Sequence, residues 1–437
     1  MELVSENLVL PFCLILSCFF IFITVRIQWN STGSAMLPPG PPRLPIIGNI
    51  HQVGKLPHRS FSDLSRTYGP IMRLKFGRLN TVIITSSEAA REVLRTHDHI
   101  LSGRMSPNAV RSINHHKVSV AWIHPSSARW RLLRKLSVTH LFSPQRIEAT
   151  KALRMKKVQE LVNYGSGKSN GFHDSIIGVM EAAGSPDLAN FFPFLGALDL
   201  QAEKSLRKNP KEASTSDFLD ALLDEAEPDN NDIEHLLLDM FVAGTDTSSS
   251  TLEWAMAELL ANPITMAKAQ AEIERMIGQD GLVQEPNISE FPYLQAVLKE
   301  TLRLHPPVPL LLPRKAETDV EIFGYLVPKN AQVLVNVWAI GRDPDVWENP
   351  AQFEPERFLG KETDVKGKDY ELTPFGAGRR ICPGLPLAVN MVSLMLVSLL
   401  YSFDWKLPNT IDMDETFGIS LHKANSLNAV PVKTNRH

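Results

Sequence analysis

The sequence predicts a mainly α protein of the α+β kind, with small β-sheets and an N-terminal transmembrane anchor. Three observations carry this. Apolar residues recur at helical spacing over most of the chain, whereas strict alternation is confined to short runs. Leu8–Val25 is a stretch of 18 residues without a charge, ahead of everything else. The remainder, in a chain of 437 residues, shows no hinge that would part it into two equal halves.

The apolar run would extend about 27 Å as a helix, close to the hydrocarbon thickness of a bilayer. Glu2 and Glu6 precede it and Arg26 follows. The positive-inside bias therefore puts the N-terminus in the lumen and the body in the cytosol, with residues 1–26 as a single-pass anchor. A cleaved secretory signal is the alternative, opposed by the acidic start and the length of the run. Cys13 and Cys18 lie inside it. The sequon Asn30-Ser31-Thr32 should stay unmodified if the body is cytosolic. Residues 27–45 form a linker whose Pro38-Pro39-Gly40-Pro41-Pro42 reads as a stiff, extended spacer; a polyproline ligand for an adaptor domain is the other reading.

From residue 46 to 437 the chain reads as one body. Its 43% apolar and 21% charged content suits a large core, and a net charge of −3 without a basic tract gives nucleic acid no footing. Ile71–Phe76 and Thr81–Thr85 alternate around Gly77–Asn80 as a hairpin, and Val320–Ile322, Tyr325–Val327 and Gln332–Val337 add short strands. Helical spacing covers Ser87–Thr96, Ala128–Leu136, Asp217–Glu225, Asp232–Ala261, Thr265–Ile277 and Tyr293–Leu304. Asn231 and Glu234 make a capping pair for the long helix, and Asn262-Pro263 stops it. Gly165-Ser166-Gly167-Lys168-Ser169 imitates the tail of a phosphate-binding loop, but Val162 stands where glycine is needed and no strand precedes it, so it reads as linker.

Four groups of residues carry chemistry. Cys382 is the one cysteine outside the apolar segment, within Pro374-Phe375-Gly376-Ala377-Gly378-Arg379-Arg380-Ile381-Cys382-Pro383-Gly384. It has no disulfide or zinc-binding neighbour, but it can give one thiolate to one metal, with glycines letting backbone N–H groups face the sulfur. Trp130 and Arg134 stand one helical turn apart, two donors suited to a ligand carboxylate or else a surface cation–π pair. Glu300 and Arg303 share a helix face, and Arg357 offers a second guanidinium for a clasp around the carboxylate. In the long helix, Ala243-Gly244-Thr245-Asp246-Thr247 and the hydroxylated residues after it predict a distortable segment edged by a groove; an ordinary Ser/Thr-rich face is the alternative.

In this order these motifs closely resemble the cytochrome P-450 family, the haem-thiolate monooxygenases. The similarity runs from the apolar anchor to the C-terminus, and Phe375-x-x-Gly378-x-Arg380-x-Cys382-x-Gly384 is its most specific part. The Pro-rich hinge and His305-Pro306-Pro307 further resemble plant microsomal members, particularly the geraniol-type monoterpenol hydroxylases. The resemblance implies the cytochrome P-450 fold, a helical haem domain with small β-sheets, on the endoplasmic reticulum membrane. It implies heme b with Cys382 as axial thiolate, Phe375 packed beside the sulfur, and Trp130, Arg134, Arg314 and Arg380 on the propionates. It makes Asp246 and Thr247 the proton-guiding pair for dioxygen, and Glu300, Arg303 and Arg357 a structural clasp. A lipophilic pocket would draw on Arg104–Val120, Leu238–Ala243, Val308–Leu312 and Phe417–Leu421. No GxGxxG follows a strand, so electrons would come from NADPH through a separate membrane-bound NADPH–cytochrome reductase, docking near Arg131 and Lys135.

The chain departs from the pattern in length. Between Arg134 and Ala243 it is short by on the order of 60 residues, with apparent losses near Tyr164-Gly165 and Gln201-Ala202. Three functions stay open: a monooxygenase hydroxylating a small lipophilic molecule such as a monoterpenol; a truncated paralogue or splice form that at most binds haem; and an oxygen-independent isomerase or lyase, which has less use for Asp246-Thr247.

Overall fold

The computed structural model describes residues 36–106, 114–167 and 230–433, except 279, 280, 282 and 419, and within the apolar segment Ser17 alone. The expected anchor, the sequon at Asn30 and the expected helix Asp217–Glu225 lie outside these residues.

Helices build most of the body. The first, α1 (Pro57–Tyr68), opens on a proline, whose missing N–H costs nothing at that position, and stops at Gly69 with φ 88°. β1 (Ile71–Phe76) and β2 (Leu79–Ile84) form the expected hairpin, in register from Ile71↔Ile84 to Phe76↔Leu79. Its turn is Gly77-Arg78 rather than four residues. Gly77, at φ 57°, supplies the left-handed conformation that a two-residue turn demands, so Leu79 and Asn80 join the strand. α2 (Ser87–Arg91) is capped by the Ser86 hydroxyl, which accepts the Ala89 N–H, and runs on as a π turn to Thr96. β3 (Gly103–Arg104) leads to α3 (Ala128–Leu136).

α4 (Lys151–Gly167) continues through Gly165–Gly167, a stretch that composition had marked as linker. The central helix α5 (Asn230–Ala261) is 32 residues long and begins one residue before Asn231, which therefore lies inside the helix rather than at its cap. α6 (Pro263–Ile277) and α7 (Pro292–Leu304) follow. The strands β4 (Arg314–Lys315), β5 (Val320–Ile322), β6 (Tyr325–Val327) and β7 (Gln332–Val335) come next. β7 ends two residues early because the Asn336 side chain accepts the Ala339 N–H and starts a short helix there. α8 (Leu385–Ser402) and two-stranded ribbons of β8 (Phe403–Lys406) with β11 (Val430–Lys433), and β9 (Glu415–Phe417) with β10 (Leu421–Lys423), complete the chain.

The principal sheet has the order β1-β2-β7-β4-β3, with β2 and β7 parallel. Its core joins Val82, Ile84, Val333 and Val335 to Leu94. The larger core lies between helices, where Trp254 and Leu259 of α5 pack with Leu298 and Leu302 of α7 and Met395 and Leu396 of α8. Among the described residues α8 is the one helix long and apolar enough to cross a bilayer, with mean hydropathy 1.8; its burial in this core accounts for that composition. The proline-rich stretch is docked rather than free. Pro39 O accepts the Arg73 N–H at 2.7 Å, the Asn49 amide donates to Pro41 and Pro42 carbonyls, and a Cβ at Gly40 would stand 2.0 Å from Arg73 O.

Candidate active site

Cys382 closes a loop whose shape depends on glycine. Gly376 and Gly378 have φ of 67° and 69°, and a Cβ on Gly378 would lie 2.3 Å from Leu94 O. The loop returns so that Cys382 N donates to Phe375 O at 3.0 Å, and Phe375 packs against the large core. The sulfur accepts the N–H groups of Gly384 and Leu385, at the start of α8. Burial pushes the thiol above its ordinary value, while those two bonds and the nearby Arg134 pull it back. A helix N-terminus, two N–H donors and a guanidinium together favour negative charge on sulfur, and a coordinated metal removes the thiol proton outright.

Around this loop four arginines gather against one buried acid. Arg314 donates to Asp98 Oδ1 at 3.1 Å and to Leu101 O at 3.2 Å. Arg380 donates to the carbonyls of Ser102, Val120 and Ile123, and lies 5.3 Å over the Trp130 ring. Arg134 donates to Ile381 O at 2.7 Å, and Arg104 to Ala121 O and Leu312 O. Burial first, and then Arg314 and Arg134, pull the Arg380 guanidinium down to about 9; burial, Arg380 and Arg314 likewise depress Arg104. Such mutual repulsion marks a place that further negative charge would relieve.

Trp130 and Arg134 do not converge on one acceptor. The indole donates to Val120 O at 2.9 Å, Arg134 to Ile381 O. Two contributors were not legible in the motifs. Arg104, grouped by sequence with the lipophilic pocket, belongs to the arginine cluster. Asp98 holds Arg314 and also accepts the Arg379 N–H at 3.1 Å; a single acid opening a four-residue helix, Asp98–Leu101, gives no signal in the sequence.

On α5, Thr247 Oγ1 donates to Ala243 O at 2.6 Å and Thr251 to Thr247 O at 2.8 Å. These bonds follow the helix rather than break it, and α5 runs without interruption through the stretch where a distortion was expected. Asp246, half-exposed, is paired with His422 of β10 at 3.2 Å. Ser250 Oγ donates to Leu421 O at 2.7 Å, and Leu421 N to Pro307 O at 2.7 Å, so α5, the segment after α7 and β10 meet. Of the four segments assigned to a lipophilic pocket, Arg104–Val120, of which 107–113 lie outside the described residues, meets Val308–Leu312 through Arg104 and Leu312 O and meets Leu238–Ala243 through Val120 and Asp239, while Leu421 bonds Pro307 beside Val308. A cavity of about 500 Å³ bounded by Asn262, Lys268, Phe353 and Glu356 contains none of the predicted site residues.

Glu300, fully buried, sits between two guanidinium groups as the motif suggested: both its oxygens accept from Arg303 at 2.7 Å and Oε1 from Arg357 at 3.0 Å. Arg303 also donates to the carbonyls of Gly341, Pro350 and Gln352. All its charge goes into the scaffold.

The model of the family described as "Cytochrome P450" matches residues 38–170 and 194–427. The chain belongs to the cytochrome P-450 family. "Cytochrome P450 76C4" of Arabidopsis thaliana is 62% identical, covering 99% of each chain. "Geraniol 8-hydroxylase" of Swertia mussotii is 44% identical over 94% of this chain and 97% of its own. A solved structure titled "Zebra fish cytochrome P450 another structure with Progesterone" superposes with a TM-score of 0.70 at 26% identity, over 86% of this chain and 99% of that one. The alignment with the 76C4 protein spans 506 positions against 437 residues here, so that relative carries some tens of residues with no counterpart in this chain. Membership in the P-450 family implies a haem held by a cysteine thiolate, and the sulfur with its N–H donors and neighbouring arginines fits both the metal and the acidic groups of such a cofactor.

Proposed function

We propose that this chain is a membrane-anchored, plant-type haem-thiolate monooxygenase that hydroxylates a small lipophilic molecule, a monoterpenol being the best-supported class. Bound haem supplies the activation of dioxygen and the insertion of one oxygen atom, the other leaving as water. Cys382 would hold the iron. Arg134, Arg314, Arg380 and Trp130 would hold the acidic edge, and Phe375 would cover the sulfur. Thr247 Oγ1 and the Asp246 carboxylate would hold and pass protons at the opposite face, with His422 orienting Asp246. Electrons would reach the site from NADPH through a separate reductase docking on the exposed Arg131 and Lys135.

The observation that carries this reading is the sulfur of Cys382, bonded by two N–H groups at the start of α8 beside the arginine cluster. The monoterpenol assignment draws its support from the geraniol 8-hydroxylase relative. Incubation of membranes holding the chain and a plant reductase with NADPH and geraniol tests it. Hydroxylated product formed in step with NADPH use is the expected result; product without reductase would point to the isomerase reading instead.

A second reading is a shortened, catalytically impaired form that at most binds haem. It is favoured by the 506 aligned positions against 437 residues and by the unmatched stretch 171–193. A bound haem with no NADPH-dependent product would select it.

A further inference from the structure

Away from Cys382, side chains from five parts of the fold enclose a second polar site. His58 comes from α1, Trp254 and Glu258 from α5, and His305 follows α7. Trp338 and Arg342 come from the short helix after β7 and its sequel, and Glu415 from β9. Among the described residues nine buried side-chain nitrogen or oxygen atoms have no partner. Six of them are here: His58 Nδ1, His305 Nδ1, Glu415 Oε2, Trp254 Nε1, Trp338 Nε1 and Arg342 Nη1. His58 and Trp254 are wholly buried, and His305 and Glu415 more than nine-tenths so.

The six form one connected set. The His58 and Trp338 rings are 5.0 Å apart, and the Arg342 guanidinium lies 4.0 Å over Trp338. His58 Nε2 is 3.3 Å from Glu415 Oε1. Glu415 is the register partner of Lys423, whose ammonium stands 4.7 Å over Trp254, and Trp254 stacks on His305 at 3.9 Å.

Hydrogen-bond chemistry fixes which way five of the six atoms work. A carboxylate only accepts, so His58 Nε2 facing Glu415, and His305 Nε2 facing Glu258 at 2.7 Å, both carry hydrogen. Burial holds His305 below its ordinary value, against the pull of Glu258, so it stays neutral at pH 7. His305 Nδ1 is therefore an acceptor. With Glu415 Oε2 it makes two acceptors, against three donors from the two indoles and Arg342, and His58 Nδ1 is the sixth atom. An anion would meet the carboxylate and an imidazole lone pair; a cation would meet three N–H groups. Only a small neutral molecule that both donates and accepts suits donors and acceptors alike. Leaving them bare would sacrifice stability comparable to the whole net stability of a domain.

We propose that this seam is a binding site for ordered water, fed from the side of Arg59, whose half-exposed side chain bonds Glu415 at the mouth. Its inner end reaches α5 at Trp254 and Glu258, on the helix that carries Asp246, and β10 touches that helix at both places through Lys423 and His422. The site does not depend on Cys382 or on any cofactor.

A crystal structure of the full chain, with a second crystal soaked in bromide as the anion probe, tests the proposal. The expected result is at least two ordered waters, each bonding one of the three donors and either His305 Nδ1 or Glu415 Oε2, with no anomalous bromide peak among them. A bromide peak there, or the six atoms paired directly with one another, would overturn it. Trp338→Phe removes one donor and should abolish one water peak while the others persist; an unaltered pattern around position 338 would contradict the proposed site.

Discussion

The Asp239 carboxylate on α5 accepts the backbone N–H of Val120 at 2.9 Å, while the carbonyl of the same Val120 accepts Trp130 and Arg380. One peptide segment is thus gripped by the central helix on one side and by the arginine cluster beside Cys382 on the other. Asp239 also accepts His115 Nε2 at 2.9 Å and the Ser119 hydroxyl at 2.7 Å. His115 in turn meets His235 through their Nδ1 atoms at 2.6 Å, a contact that requires one nitrogen protonated and the other not.

Asp239→Ala should strand three donors at once. Each buried donor left unpaired costs about 1–3 kcal/mol, so a loss of at least about 2 kcal/mol is expected in denaturant titration. Asp239→Asn, which keeps one acceptor oxygen, should lose less. Equal stability of all three proteins would show that this grip is idle.

Glu300→Gln and Arg303→Lys should both be strongly destabilising. Removing one partner of a buried ion pair costs about 3–5 kcal/mol, and lysine cannot reproduce the fork that reaches Glu300, Gly341 and Gln352 together. Yield of folded protein and its melting temperature give the readout. Wild-type melting in either variant would remove the clasp from the scaffold.

Stability should fall on the acid side in two steps. Burial, opposed by Glu258, lowers the folded His305 below 6.5, so the unfolded chain binds the proton more readily and stability declines as pH drops from about 6.5 toward the folded value. Burial pushes the Glu415 carboxyl up, but the hydrogen bond from His58 and the charge of Arg59 outweigh it and hold the group below 4.5. Its contribution is full above about 4.5 and is lost as pH falls through the folded value. Glu415→Gln should flatten the lower step alone, as measured by unfolding free energy against pH.

Thr247→Ala removes the hydroxyl that bonds Ala243 O without disturbing a helix that is already continuous. The fold should persist while the ratio of hydrogen peroxide to product rises. An unchanged ratio would take Thr247 out of proton handling.

The motif residues were legible because each combines an unusual residue type with a short spacing: one cysteine among glycines, one Glu-x-x-Arg, one Trp-x-x-x-Arg. The clasp needed only a face of one helix and a nearby proline-bounded loop. Other features left no such trace. α8 is apolar on all sides, so it shows no stripe and periodicity passes over it. Asp98 and Asp239 are single acids whose meaning comes from partners 216 and 119 residues away. Hydroxylated residues on α5 signalled competition with the backbone, but their bonds to carbonyls one turn back, such as Thr251 to Thr247, leave the helix intact.

The most direct test is the carbon monoxide difference spectrum of the reduced full chain in membranes, beside its Cys382→Ser variant. Sulfur ligation predicts a strongly red-shifted Soret band for the parent and its loss in the variant. A parent band at the ordinary haem position, or a variant spectrum identical to the parent's, would contradict the account.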